Sequence, residues 1–98
     1  MARYDIYKNP DGGYLLDVQA DLLGVLTTRV VVPLLPYERA PQPAERLNPV
    51  FDIDGKSFVM TTQFLAAVPS AILIGPVDNF LRHHDQIVAA LDMVFHGF

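Results

Sequence analysis

Alternating polar and apolar residues begin the chain, a pattern that is typical of a β-strand. The alternation covers residues 3–7 (RYDIY), and a cluster of turn-forming residues follows at 9–13 (NPDGG). A second strand-like segment then covers residues 14–19 (YLLDVQ). Because two such segments joined by a short turn pair readily, residues 2–20 are predicted to form a β-hairpin.

The next apolar segment, residues 29–34 (RVVVPL), does not alternate and is rich in β-branched side chains. Such a segment is typical of a strand that is buried on both faces. Proline lacks a backbone donor, so Pro33 is expected to mark the end of this strand or an edge of the sheet. Residues 35–48 contain three further prolines among polar residues and are predicted to form a surface loop.

A second hairpin is predicted around Asp54 and Gly55. This dipeptide favours a type I′ turn, in which both central residues have positive φ. Residues 50–53 and 56–60 flank it as short apolar strands. Residues 71–74 (AILI), which precede a Gly-Pro pair, are expected to form a last short strand.

The C-terminal segment has the periodicity of an amphipathic helix. Apolar or aromatic residues recur every three or four positions on one face: Phe80, His84, Ile87, Leu91, Val94 and Phe98. The predicted fold class is therefore mainly β (α+β), a small antiparallel barrel or sheet with one C-terminal α-helix.

The composition indicates that the chain associates with itself. It has 98 residues, of which 51% are hydrophobic and only 18% are charged. A single domain covering residues 1–98 has a large surface for its volume, so it cannot easily bury this much apolar side chain alone. We therefore expect a homo-oligomer.

Charge and residue usage argue against several function classes. The formal net charge of −4 disfavours a domain that binds phosphate backbones. The lack of cysteine excludes disulfides, thiolate metal sites and cysteine nucleophiles. The longest weakly polar stretch, residues 64–77, is shorter than a membrane span and contains two prolines. With no signal peptide visible, a cytoplasmic protein is expected.

Histidine offers little for catalysis or metal binding. His83 and His84 are adjacent, so on a helix they point about 100° apart and cannot jointly hold a metal ion. No metal site is therefore expected. His84 and Asp85, near the predicted helix start, are either site residues or ordinary helix positions.

Two pairs of aspartates lie close in sequence, Asp17 with Asp21 and Asp52 with Asp54. Alternation along a strand places Asp52 and Asp54 on one face, and glycosidases use paired carboxylates in a cleft. Their position at an Asp-Gly turn, however, favours a role in the turn itself.

The C-terminal residues 94–98 (VFHGF) are unusually apolar for a chain end. Two interpretations of this segment are open. Phe95 and Phe98 either pack into the core or a dimer interface, or they project as an anchor for a partner, as interface hot spots do.

Several segments together resemble the CcdB toxins of bacterial toxin–antitoxin modules. They occur in the order of that family and near its spacing, along virtually the whole chain. These segments are residues 16–23 (LDVQADLL), 28–34 (TRVVVPL), 46–50 (RLNPV), 60–62 (MTT), 67–69 (AVP) and 95–98 (FHGF).

The resemblance implies a homodimer of a small SH3-like barrel with a C-terminal helix. It also implies a protein that is not an enzyme and has no cofactor. CcdB-like toxins bind the DNA-cleaving subunit of DNA gyrase, trap the complex with cleaved DNA, and are neutralised by the antitoxin CcdA. The expected partners are thus a second copy, a CcdA-like antitoxin and gyrase, with no specific nucleic-acid contact and no membrane.

The resemblance further implies which residues bind gyrase. In the family, a Trp-Gly-Ile end enters a cavity of gyrase, and the matching residues here are His96, Gly97 and Phe98. The remaining matches to the family's interaction surface are Phe95, Asp92, Leu22 and Leu23.

His96 is the main departure from the family, because this chain contains no tryptophan. The family's tryptophan stacks on a gyrase arginine, and an imidazole offers a smaller ring face for this contact. We therefore expect gyrase poisoning that is weakened, or adapted to a gyrase of different shape.

The first hairpin turn is also shorter than in the family and lacks its charged loop. Family antitoxins bind near this region, so the expected antitoxin-binding residues are Asn9, Asp11 and Tyr14. The antitoxin is expected to be specific to this protein.

Two alternative functions are open. One is a CcdB homologue that only binds an antitoxin. The other is an endoribonuclease, because MazF- and Kid-like toxins share the fold and cut RNA. RNA cleavage requires an acid–base pair and cationic groups, but only seven lysines and arginines are present. Of these, Arg29 and Arg46 lie near the sheet, and both are expected to form structural ion pairs.

Overall fold

The chain forms one antiparallel sheet that curls into a half-barrel. The computed structural model describes residues 2–98, and within them the sheet has seven strands. They are β1 (Asp5–Lys8), β2 (Tyr14–Asp17), β3 (Thr28–Pro36), β4 (Val50–Ile53), β5 (Lys56–Met60), β6 (Ala66–Pro69) and β7 (Asp78–Asn79). The helix α1 (His84–His96) follows the sheet. The predicted fold class is confirmed.

Both predicted hairpins are present. β1 and β2 pair antiparallel across the turn at residues 9–13. β4 and β5 have the predicted bounds and also pair antiparallel. Asp54 and Gly55 join them with φ values of 52° and 79°, and a type I′ turn requires positive φ at both positions.

β3 is the central strand, and the expectation that Pro33 ends it is wrong, since β3 continues to Pro36. The Pro33 carbonyl oxygen accepts hydrogen bonds from the backbone N–H and side-chain hydroxyl of Thr61. On this same side, β6 pairs with β3 as far as Val31, and β5 begins to pair at Leu34. Pro33 thus lies in the gap between the segments of β3 that pair with β6 and with β5, where no partner strand requires a backbone N–H donor.

The predicted loop begins two residues later than expected, and the strand expected at residues 71–74 is absent. β3 extends into the predicted loop 35–48, of which Tyr37–Arg39 forms a 3₁₀ turn. Residues 71–74 do not form a strand, because the chain turns there through a 3₁₀ helix, Ser70–Ile72. Of these four residues only Leu73 is buried against the sheet, and the strand that pairs here with β3 is β6.

β3 is covered on both faces of the sheet, as predicted. One face packs against α1, and the buried residues of this larger core are Tyr4, Ile6, Leu16, Val18, Val32, Leu34, Phe51, Ile53, Phe58, Met60, Phe80, Ile87 and Ala90. The opposite face carries a smaller buried cluster of Tyr7, Leu15, Val31 and Leu73. The alternation in the first strand is thus confirmed, with Ile6 and Tyr7 on opposite faces.

The helix begins later than its periodicity indicates. Phe80 is fully buried, but Leu81–His83 forms a 3₁₀ turn and α1 begins at His84. Gly97 ends the helix with a φ of 79°, and its N–H donates to the carbonyl oxygen of Met93 at 3.0 Å. Glycine is favoured at this left-handed position.

In the described part of the chain, no helix is both long enough and apolar enough to span a bilayer.

Candidate partner-binding sites

The end of α1 presents two aromatic side chains to solvent. Phe95 is 65% exposed and Phe98 is 69% exposed. The buried face of the helix carries Ile87 and Ala90, and Phe95 lies roughly 80–140° around the helix from them. The interpretation that these phenylalanines pack into the core is therefore wrong. Roles as a dimer contact and as a partner anchor both stay predictions.

Asp92 belongs to the same surface. It is exposed and precedes Phe95 by three residues and His96 by four, a spacing that places side chains on one helix face. The rings of His96 and Phe98 stack with 6.1 Å between their centroids. Five predicted gyrase-binding residues thus form one surface, the helix-end surface: Asp92, Phe95, His96, Gly97 and Phe98.

The other two predicted gyrase-binding residues, Leu22 and Leu23, lie on a 3₁₀ helix between β2 and β3. Leu22 is 91% exposed and Leu23 is 47% exposed. Val25 is as exposed as Leu22, at 92%. We call residues 21–26 the apolar loop, because most of its side chains are apolar and yet face solvent.

A buried ion pair lies next to the apolar loop. The Asp17 Oδ2 atom accepts a hydrogen bond from Nε of Arg29 at 2.8 Å and forms a salt bridge with Nη2 at the same distance. The Arg29 guanidinium lies close to Gly24 of the loop. The ion pair predicted for Arg29 is therefore confirmed. The ion pair predicted for Arg46 is wrong, because Arg46 is exposed and makes none within residues 2–98.

Gln19 connects the strands to the apolar loop and was not singled out by sequence reasoning. Its Nε2 donates to the carbonyl oxygen of Leu23 at 3.0 Å, and its Oε1 accepts from the N–H of Val30 at 3.1 Å. The residue is only 7% exposed. The one sequence signal for it is a polar side chain that closely follows the apolar strand β2.

A second exposed apolar segment adjoins the apolar loop. The N–H of Ser70 donates to the carbonyl oxygen of Thr27 at 2.8 Å, which places the segment after β6 beside the end of the loop. Ile72 is 57% exposed and Ile74 is 81% exposed. β6 has no charged residue and, among the described strands, pairs only with β3. We call the apolar loop, β6 and residues 72–74 together the apolar face.

A cavity of about 540 Å³ lies where the first hairpin turn meets the start of β5. Tyr14 and Phe58 form part of its wall, with their rings edge to face and 5.1 Å between centroids. Both lysines of the chain, Lys8 and Lys56, line it, together with Glu38. We call it the lysine cavity.

Two of the three predicted antitoxin-binding residues lie at the lysine cavity. Asn9 and Tyr14 are among its lining residues. Asp11 is exposed at the tip of the turn, where its N–H donates to Oδ1 of Asn9 at 3.1 Å. The turn is thereby held in the shape that forms one side of the cavity.

The sequence model of the CcdB protein family matches residues 3–97. The chain belongs to the CcdB family. This is a family of toxins from toxin–antitoxin modules, so the resemblance found in the sequence is confirmed. The matched region includes the apolar loop, the residues around the lysine cavity, and every residue of the helix-end surface except Phe98.

The adjacent histidines of this CcdB-family chain make packing contacts. His84 Nδ1 lies 2.6 Å from the Tyr4 hydroxyl oxygen, which links the start of α1 to the chain segment before β1. The His83 ring packs against Phe51 and Phe80, with centroid distances of 4.6 and 4.8 Å. Burial is the main cause that lowers the pKa of His83 below its usual range.

The aspartates likewise have structural partners. Asp17 binds Arg29, and Asp21 accepts a backbone N–H at 2.7 Å. Asp52 accepts a serine hydroxyl at 3.1 Å across its hairpin, and Asp54 forms the turn, as predicted. Within residues 2–98, no three histidine, aspartate or glutamate side chains are grouped as a metal site requires.

Proposed function

We propose that this protein is a toxin that binds the DNA-cleaving subunit of DNA gyrase, traps the complex with cleaved DNA, and is neutralised by a CcdA-like antitoxin. The observation that carries the proposal is the exposure of Phe95 and Phe98 at the end of α1. Exposed aromatic side chains that cluster on a rigid element are typical anchors of protein interfaces. Membership of the CcdB family supports the same function.

The proposed activity is binding and not catalysis. The helix-end surface offers two aromatic rings and a short terminal segment that can insert between elements of a partner. Such an insertion would hold gyrase in the arrangement that it adopts when DNA is cut, so the toxin itself would supply no chemistry. The helix is a rigid support, which limits the conformational entropy lost on binding.

His96 determines how strong the poisoning is. In the family this position carries the tryptophan that stacks on a gyrase arginine. Loss of such an anchor typically costs about 2 kcal/mol or more, or over tenfold in affinity. Phe98, where the family has isoleucine, adds apolar area that partly offsets this loss. We therefore propose poisoning that is weak with most gyrases and adapted to that of the host.

We also propose a homodimer that forms through β6 and residues 72–74 of the apolar face, which leaves the apolar loop accessible to a different partner. Exposed apolar side chains adjoin the free edge of β6 there, and monomeric proteins rarely leave so large an apolar patch uncovered. Light scattering at low micromolar concentration tests this proposal. The expected mass is twice the 10.9 kDa of the chain, and a stable monomer at that concentration would contradict it.

The lysine cavity is the proposed antitoxin site. Lys8 and Lys56 make it locally positive in a chain of net charge −4, which favours an acidic partner segment. Tyr14 and Phe58 provide an apolar wall for one anchoring side chain. Lys8→Glu is expected to weaken antitoxin binding and to leave gyrase poisoning unchanged.

A CcdB homologue that binds only an antitoxin is the second candidate, because His96 removes the family's aromatic anchor while the lysine cavity is intact. Endoribonuclease activity has less support. Arg29 is buried in its ion pair with Asp17, so it is not free to bind a phosphate.

A DNA cleavage assay with purified gyrase and ATP tests the proposed function. Gyrase from the host bacterium and from a distant species are compared, and linear DNA is expected to accumulate with the host enzyme. Phe98→Ala is expected to reduce cleavage at least about tenfold. Leu81→Ala is the matched control, since Leu81 is 66% exposed but lies in the 3₁₀ turn before α1, far from the helix-end surface in sequence.

The outcomes separate the candidate functions. Cleavage with the host gyrase that falls in Phe98→Ala and not in Leu81→Ala supports poisoning through the helix-end surface. No cleavage with either gyrase would contradict the proposal and favour the homologue that only binds an antitoxin. RNA degradation by the purified protein would instead favour the nuclease.

A further inference from the structure

We propose that Gln19 is a positioning residue, which holds the apolar loop in the single conformation that partner binding requires. The inference rests on the proposed function in so far as the partner is gyrase. Leu22 and Leu23 of this loop are two of the residues expected to contact it. Gln19 itself is too buried to touch a partner.

The Gln19 amide group is hydrogen-bonded on both sides. Nε2 donates to the Leu23 carbonyl oxygen in the loop, and Oε1 accepts from the Val30 N–H in β3. The Gln19 backbone N–H donates to Oδ1 of Asp17 at 3.0 Å, and its carbonyl oxygen lies 3.5 Å from Arg29 Nη2. The buried ion pair thus holds the Gln19 backbone in place, and the Gln19 side chain in turn holds the loop through its hydrogen bond to Leu23.

The apolar loop has few other contacts that would hold it. Its internal hydrogen bonds are turns in which Leu23, Gly24 and Leu26 each donate three residues back. Asp21 accepts the Arg3 N–H at its start. Every residue of the loop is exposed, and of its apolar side chains only Leu23 and Leu26, at 47% exposure each, are partly covered, so side-chain packing contributes little to the order of the loop. Gln19 is therefore the buried side chain that ties the middle of the loop to the sheet.

An exposed apolar loop that was disordered in the free protein would lose conformational entropy on binding. Each side chain and loop residue that becomes ordered at an interface reduces the affinity, so the cost for several residues together is large. A loop that is already rigid avoids this loss. Gln19 would thus raise affinity without contacting the partner.

Isosteric changes at Gln19 test the inference. Gln19→Glu replaces the donor with an oxygen that repels the Leu23 carbonyl, and Gln19→Met removes both hydrogen bonds without adding a charge. Asn48 supplies matched controls, because it is 6% exposed and its Nδ2 donates to the Met60 carbonyl oxygen at 3.0 Å, far from the apolar loop in sequence. The control variants are Asn48→Asp and Asn48→Leu.

Two readouts are measured under conditions where circular dichroism shows each variant folded. Backbone ¹⁵N relaxation of residues 22–26 should give order parameters of about 0.85 in the wild type and below about 0.6 in both Gln19 variants. Gyrase-dependent DNA cleavage should fall about tenfold or more in the same variants. The Asn48 variants should retain a rigid loop and wild-type cleavage, although their stability also falls.

A loop that stays rigid in both Gln19 variants would overturn the inference. So would a loop that becomes mobile while cleavage is unchanged. If the wild type traps no cleaved DNA, the proposed function is wrong, and the relaxation measurements alone then decide whether Gln19 positions the loop.

Discussion

Arg29→Met is a substitution for which the structure predicts a large loss of stability. The Arg29 and Asp17 side chains are only 2% and 0% exposed, and both Nε and Nη2 of the guanidinium lie 2.8 Å from one carboxylate oxygen. Methionine keeps the length of the side chain but leaves Asp17 buried without its counter-ion. Removing one partner of a buried pair typically destabilises by about 3–5 kcal/mol. In a domain of this size, about 3 kcal/mol corresponds to a melting temperature lower by roughly 12–24 °C.

Urea denaturation followed by circular dichroism measures this loss. Arg82→Met is the matched control, because Arg82 and Asp78 form a pair of nearly equal length, 2.9 Å, with side chains 55% and 37% exposed. Such an exposed pair contributes about 1 kcal/mol at most. The double variant Asp17→Asn/Arg29→Met should recover part of the loss, because no charge is then buried alone. A loss below about 1 kcal/mol in Arg29→Met would refute the reasoning.

Three other predictions concern a titrating group, a glycine turn and the chain end. Because the pKa of His83 in the folded protein lies below its unfolded value, about 6.5, the unfolded state binds more protons as the pH falls past that value. The melting temperature should therefore decrease between about pH 7.5 and pH 5, and His83→Leu should reduce this decrease; an identical pH profile would contradict the assignment. Gly13 has a φ of 75°, and an added Cβ would collide with the Leu34 carbonyl oxygen, whereas Gly55 has similar φ and open space. Gly13→Ala should thus destabilise clearly more than Gly55→Ala, for which strain alone predicts about 1–2 kcal/mol in urea denaturation; equal losses would show that the turn relaxes. Adding a charged residue after Phe98 should change the melting temperature by less than about 4 °C, because this end is exposed; a much larger decrease in a thermal melt would show that Phe98 is packed.

Local patterns were sufficient to predict most of the elements. The turn at Asp54 and Gly55 depends only on backbone conformations that few residues adopt, so both flanking strands were placed with the correct bounds. The helix follows from a periodicity that repeats from Phe80 to Phe98. Both the turn and the helix depend on residues that are close together in the sequence, so their local pattern is sufficient to predict them.

Contacts between distant segments account for what the sequence did not reveal. Tyr4 and His84 are 80 positions apart and yet share a hydrogen bond. Pro33 is tolerated inside β3 only because two different strands pair on either side of it. The role proposed for Gln19 depends on the position of the Leu23 carbonyl oxygen in the folded chain, which accepts its hydrogen bond. None of these relations leaves a periodic signal in the chain.

Between β2 and β3 a polar side chain, Gln19, is buried, whereas the apolar side chains of Leu22 and Val25 are exposed. The residues expected to bind a partner can therefore change without altering the fold. Gln19 is buried and satisfies the loop backbone, so Leu22 and Val25 have no folding role and remain free for a partner. The helix end follows the same principle, because the backbone of Gly97 terminates α1 and leaves the ring of His96 in solvent. Substitutions at these exposed positions should therefore change partner affinity much more than stability.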